Sequence, residues 1–224
     1  MRTMKTERKL EREIRDFKNR LKAAEKAVEG LCQELERLLE PVITDLKAFP
    51  NWDKETGEML ISLYSNSHNT DNPCSGKTLE KIVVGCIPSL KFRIGWPDCV
   101  SLRDEEIPEV QQWLKLVDWK KVRQFEIAAL RFEEAARVLC EHLTELLQPI
   151  IPDIKCQGWG DKIEFFSESH CSTSILLDLD WDKYSFERVL VEIMPELQEH
   201  IAFPSQVFLR DEEICQIETL LREE

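Results

Sequence analysis

With 42% hydrophobic and 33% charged residues in 224, the chain carries enough apolar material for one or two packed cores and too much for general disorder. No run approaches the roughly eighteen apolar residues of a membrane span, and the charged stretch Met1 to Glu13 lacks the apolar centre of an export signal; the expectation is a cytoplasmic protein without membrane contact. A net charge of −13 disfavours nucleic acid as a partner, and in that compartment the eight cysteines read as reduced thiols rather than as a disulfide framework.

In chain order, residues 1–30 hold ten Lys or Arg against six Asp or Glu, the basic first part of a long helix. Leu10, Ile14, Phe17, Leu21, Ala24, Val28, Leu31, Leu35 and Leu38 alternate spacings of four and three, the pattern of a coiled-coil seam, which predicts one helix from about residue 5 to about 40. Pro41 ends or kinks it. Alternation at Met59 to Tyr64 predicts a strand, followed by Ser65-x-Ser67-His68 and the polar stretch Asn69 to Gly76. Leu79 to Ile87 reads as a helix with Pro88 marking its break. Phe92 to Ile94 and Val100 to Leu102 suggest a hairpin or extended pair. Asp104 is placed to N-cap a following helix, and since only Pro108 interrupts from Asp104 to Gln148, one continuous helix is expected there. Within it, Val122, Phe125, Ala129, Phe132, Ala136, Leu139, Leu143 and Leu146 form a second seam. The simplest cover for both seams is to pack them on each other; a homodimer through the N-terminal helix competes.

The chain then repeats itself. Leu79 to Ile107 lies over Phe186 to Ile214 without a gap, with thirteen identities in twenty-nine positions where average residue usage gives ~2. Leu31 to Leu46 lies over Leu139 to Ile154 with eight identities in sixteen, and Ile61 to His68 matches Ile163 to His170. Three blocks in one order indicate a tandem duplication of a small α+β module, each copy preceded by a long heptad-patterned helix. The boundaries read 1–30 basic helix, 31–116 first repeat, 117–138 helical linker and 139–224 second repeat. The second repeat alone holds six basic against nineteen acidic residues, and adds an apparent strand, Ser174 to Leu179, where the first has its polar stretch.

Several groups invite a chemical reading. Ser67-His68 and Ser169-His170 have the residue types of an activated nucleophile, but neighbours on an extended chain point to opposite faces, so a polar strand end is the plainer account. Ser75-Gly76-Lys77-Thr78 has the tail of a phosphate loop, yet Asp71 stands where that pattern needs glycine, and the second repeat lacks Gly-Lys-Thr. His68 with Cys74, or Cys156 with His170 and Cys171, lack paired metal-ligand spacing, so neither metal nor cofactor is expected. Arg103 and Arg210, in the shared Leu-Arg-Asp-Glu-Glu-Ile, suit a helix start in which each arginine pairs with a carboxylate such as Asp45 or Asp153. Trp113 and Trp119 are candidate interface anchors, while Asp178, Asp180 and Asp182 offer acidic contacts.

These features favour a non-enzymatic interaction protein, an adaptor, escort or inhibitor, binding a protein with a basic surface through the acidic second repeat and the linking helix. Trp113, Trp119, Arg103, Arg210, His68, His170, Asp178, Asp180 and Asp182 are its candidate contacts. A small hydrolytic enzyme with a site between the lobes, or a nucleic-acid-associated factor using the basic first helix, are the alternatives.

Overall fold

A computed structural model describes residues 3–53, 56–69, 77–95, 100–171, 185–202 and 207–222, with the backbone alone for 3–8. The protein is α+β, with helices and two small antiparallel two-stranded sheets. Its chain divides into two compact units, residues 1–20 with 132–224, and residues 21–131. The expected strand Ser174 to Leu179 lies outside the described residues.

Helix α1 spans Thr3–Leu39, about 56 Å at 1.5 Å per residue. All nine of its seam residues are buried, so the four-three spacing marks the face that the chain covers itself.

In the unit of residues 21–131, β1 (Lys47–Trp52) pairs antiparallel with β2 (Met59–Tyr64), Lys47 opposite Tyr64 and Trp52 opposite Met59. Gly57, at φ 71°, turns the chain between them in the left-handed region that favours glycine. Sequence alternation missed β1, because Pro50 and the exposed Phe49 make Lys47 to Trp52 read as a loop. The second edge of β2 is occupied as well: Ile61 N donates to the Arg93 carbonyl and Gly95 N to the Ile61 carbonyl, both at 2.7 Å. A Cβ on Gly95 would lie 2.6 Å from Ser62 Oγ, so this approach requires glycine. Ile94 thus bridges Ile61 in parallel, Val100 bridges Asn69 and Ser101 bridges Thr78; these links replace the expected pairing of 92–94 with 100–102. Helix α2 (Leu79–Cys86) is capped by the Thr78 hydroxyl, which accepts from Lys81 N.

The expected continuous helix is two, α3 (Glu106–Leu114) and α4 (Trp119–Leu147). Leu116 N and Val117 N turn back to Trp113 and Leu114 carbonyls, which buries Val117. Asp118 then restarts the helix, its carboxylate accepting from Lys120 N at 2.9 Å. The five-residue step from buried Val117 to buried Val122 interrupts the four-three spacing at this break.

In the other unit, α4 residues 132–147 lie against the first part of α1: Phe17 and Phe132 ring centroids are 5.5 Å apart, and His142 Nδ1 meets Glu13 Oε2 at 2.5 Å. Strands β3 (Lys155–Trp159) and β4 (Lys162–Phe166) pair antiparallel around Gly160, at φ 61°. Ile163 bridges Ile201 in parallel, Cys171 bridges Val207 and Ser185 bridges Phe208. The Ser185 hydroxyl caps α5 (Phe186–Ile193) by accepting from Arg188 N, and α6 spans Asp211–Arg222. These bridges fall at the residues matching those of Ile94, Val100 and Ser101.

Candidate functional site

The highest density of polar chemistry in the unit of residues 21–131 gathers where α1 has ended, β2 ends and α3 begins. Asp45 Oδ1 accepts from the Ser65 hydroxyl at 2.6 Å and the Ser67 hydroxyl at 2.7 Å, while Oδ2 accepts from Ser67 N at 2.9 Å. Ser67 Oγ also lies 2.7 Å from His68 Nδ1, and His68 Nε2 lies 3.2 Å from Glu106 Oε1. Glu106 Oε2 accepts from Arg103 N at 2.8 Å. Neighbouring Ser67 and His68 meet because residues 66–68 form a turn, not an extended strand end; the opposite-face expectation fails for that reason.

The other unit contains the same cluster with other numbers. Asp153 Oδ1 accepts from Ser167 at 2.8 Å and Ser169 at 2.6 Å, and Oδ2 from Ser169 N at 2.8 Å. Ser169 Oγ is 2.7 Å from His170 Nδ1, His170 Nε2 is 2.9 Å from Glu213 Oε1, and Glu213 Oε2 accepts from Arg210 N at 2.9 Å.

Electrostatics follow from these bonds. The Ser65 hydroxyl, then that of Ser67, hold Asp45 well below the usual carboxylate range; Ser169, then Ser167, do so for Asp153. Burial works to raise Glu106 and Glu213, but the Arg103 and Arg210 amides and the two histidines outweigh it and leave both carboxyls low.

What such a cluster can do depends on where its protons go. Each serine hydroxyl has one proton; Ser65 and Ser167 lie closer to the aspartate than to the histidine, while Ser67 and Ser169 lie about as close to the histidine Nδ1 as to the aspartate. When those protons go to the aspartate, Ser67 Oγ and Ser169 Oγ meet the histidine Nδ1 as acceptors; when Nδ1 is the unprotonated nitrogen, the hydroxyl can donate to it instead, as a histidine drawing a proton from a serine requires. The histidine main chain adds a further tie: Ser101 N donates to the His68 carbonyl and Phe208 N to the His170 carbonyl. Each cluster thus joins three separated chain segments.

Arg103 and Arg210 approach Glu106 at 3.7 Å and Glu213 at 4.0 Å, not Asp45 or Asp153, whose oxygens the serines occupy. Asp104 pairs with Lys77 instead of capping α3. Trp113 is half-buried on α3, and Trp119 is exposed at the start of α4. Asp178, Asp180, Asp182, Cys74, Ser75 and Gly76 lie outside the described residues. Among the described residues no group of three or more His, Cys, Asp or Glu is placed to hold a metal ion, and no helix is long and apolar enough to cross a membrane. The aspartates as serine partners, and the glutamates as histidine partners, are what sequence reasoning missed. Their signal was present: Asp45 and Asp153 are identical residues inside matched blocks.

Comparison with protein-family models, curated proteins and solved structures gives no significant match to this chain.

Proposed function

We propose that the chain is a tandem duplication of one α+β module that works as a non-enzymatic interaction protein, engaging a partner that pairs an apolar patch with basic residues. The observation that carries the reading is a group of exposed apolar residues just before and along the start of α4, with the exposed Arg123 among them. Leu116, Trp119, Ile127 and Leu130 are exposed by 60, 46, 51 and 59%. On a helix with 3.6 residues per turn, Ile127 and Leu130 lie within about 80° of Trp119, a strip about 16 Å long. Apolar residues so aligned and left in water mark a contact surface, and tryptophan is enriched among contacts that dominate binding.

Charge argues for the partner's sign. Residues 139–224 hold six basic and nineteen acidic residues, a field that attracts basic surfaces and speeds encounter. The duplication is supported by the two clusters. Their three sequence blocks are offset by 108, 102 and 107 residues, yet Asp45, Ser65, Ser67, His68 and Glu106 have the same mutual bonds as Asp153, Ser167, Ser169, His170 and Glu213. Each repeat, 31–116 or 139–224, lies inside one compact unit. A homodimer through the N-terminal helix gains no support, since the seam of α1 is already covered.

Capture from the native cell tests the reading. The full chain should retain a protein that elutes with salt, and Trp119→Ala or Leu130→Asp should weaken retention, for Trp119 by about 2 kcal/mol or roughly thirtyfold. Equal recovery by wild type and both variants, unaffected by salt, would reject it.

A second reading, a small hydrolase, is favoured only by the Ser67–His68–Glu106 and Ser169–His170–Glu213 chains of contacts. It requires that His68→Ala with His170→Ala abolish a measured hydrolysis while the protein stays folded.

A further inference from the structure

In the unit of residues 1–20 and 132–224, β3 runs along α4 closely enough to bring two thiols together. A Cβ built on Gly158 would lie 3.4 Å from the Ala136 Cβ, close to the Cβ separations of about 3.5–4.5 Å that a disulfide spans. Farther along the same helix, the Thr144 hydroxyl accepts from Cys156 N at 3.1 Å. Cys140 sits midway between Ala136 and Thr144, one turn from each. The steps match: four residues of helix advance about 6 Å, two residues of strand about 6.7 Å, so stepping from Gly158 to Cys156 corresponds to stepping from Ala136 to Cys140. Alternation agrees, since Cys156 and Gly158 are half-buried while Lys155, Gln157 and Trp159 are exposed. Cys156 therefore projects from the face of β3 that Gly158 presents to α4. Both cysteines are thiols, and Cys140 is buried.

We propose that Cys140 and Cys156 are a dithiol–disulfide couple whose oxidation by a peroxide pins β3 to α4. Cys156, the less buried residue of the two, attacks one peroxide oxygen as the thiolate; an S–O bond forms and the O–O bond breaks, leaving a sulfenic acid on Cys156, and the departing hydroxide takes up the proton that Cys156 lost on ionising to become water. The Cys140 sulfur then attacks the Cys156 sulfur, the S–OH bond breaks, and the hydroxide leaves with the Cys140 proton as a second water. Two thiols lose two electrons and two protons, and one hydrogen peroxide becomes two waters.

Burial, and then Cys140 beside it, push the Cys156 thiol well up. The pair is accordingly protected at neutral pH and reacts faster as pH rises, because the thiolate is the nucleophile. The matching place in the first repeat provides an internal control: Cys32 is there, but Ala48 stands in place of Cys156.

The test exposes the full chain to hydrogen peroxide at pH 8.5, at a dose that oxidises the exposed Cys215, then unfolds it, alkylates free thiols and maps the digest by mass. The expected result is a peptide pair joined through Cys140 and Cys156. Cys156→Ala, which copies Ala48, should abolish the link and leave Cys140 alkylated, and the oxidised wild type should unfold at higher temperature than the reduced. Recovery of Cys140 and Cys156 as separate alkylated thiols, or conversion of Cys156 to sulfinic acid without a link, or links scattered over other cysteines, would overturn the proposal.

Discussion

Ser65 and Ser167 are buried hydroxyls that bond Asp45 and Asp153 and lie within reach of their histidines. Replacing either by alanine leaves polar partners without their donor, which costs about 1–3 kcal/mol for a buried site. Ser65→Ala and Ser167→Ala should therefore destabilise by similar amounts, each within its own unit, as measured by denaturant unfolding. Glu187 sets the pH response. Burial pushes its carboxyl up to about 8, so it is neutral in the folded chain at pH 7 and ionised in the unfolded one. A raised folded value means stability present below the unfolded value near 4.5 and lost as pH rises through about 8. The lowered Asp45, Asp153, Glu106 and Glu213 act oppositely, with stability lost as pH falls below about 4. Glu187→Gln should flatten the melting-temperature profile between pH 5 and 8 and leave the acid limb in place. None of this was legible from residue types alone, because a glutamate in a helix's first turn reads as a solvated charge that favours the dipole.

At the scale of elements, the seams of α1 and α4 were legible because a helix stripe repeats over many turns and averages out single exceptions; Leu146, half-buried where Leu147 is buried, is one. The short strands were not. Lys47 to Trp52 carries Pro50, and Lys155 to Trp159 carries Gly158, so neither shows apolar alternation, and each takes its place by pairing with the strand that follows it across a turn. The break between α3 and α4 was hidden for a related reason: Asp118 is an unremarkable charge until its side chain is seen to accept from Lys120 N. Asp118→Ala should lower stability by about 0.5–2 kcal/mol through the lost cap. Gly95→Ala should cost about 1–3 kcal/mol by forcing Ser62 away from its 2.9 Å bond with the Asn51 side-chain amide, and thermal unfolding checks both.

For the whole molecule, the matching blocks were legible in the sequence, whereas the way residues of three separated segments converge on one hydrogen-bonded cluster was not. Linear spacing places Asp45 twenty residues from Ser65 and Glu106 thirty-eight from His68, and only folding shows that they meet. In the proposed reading these clusters brace two modules of a binding protein and do not activate a serine nucleophile. Mass measurement of the full chain after treatment with a serine-directed fluorophosphonate tests that claim most directly. The account predicts the unmodified mass at Ser67 and Ser169; a covalent adduct on either serine, lost in the His68→Ala or His170→Ala variant, would contradict it.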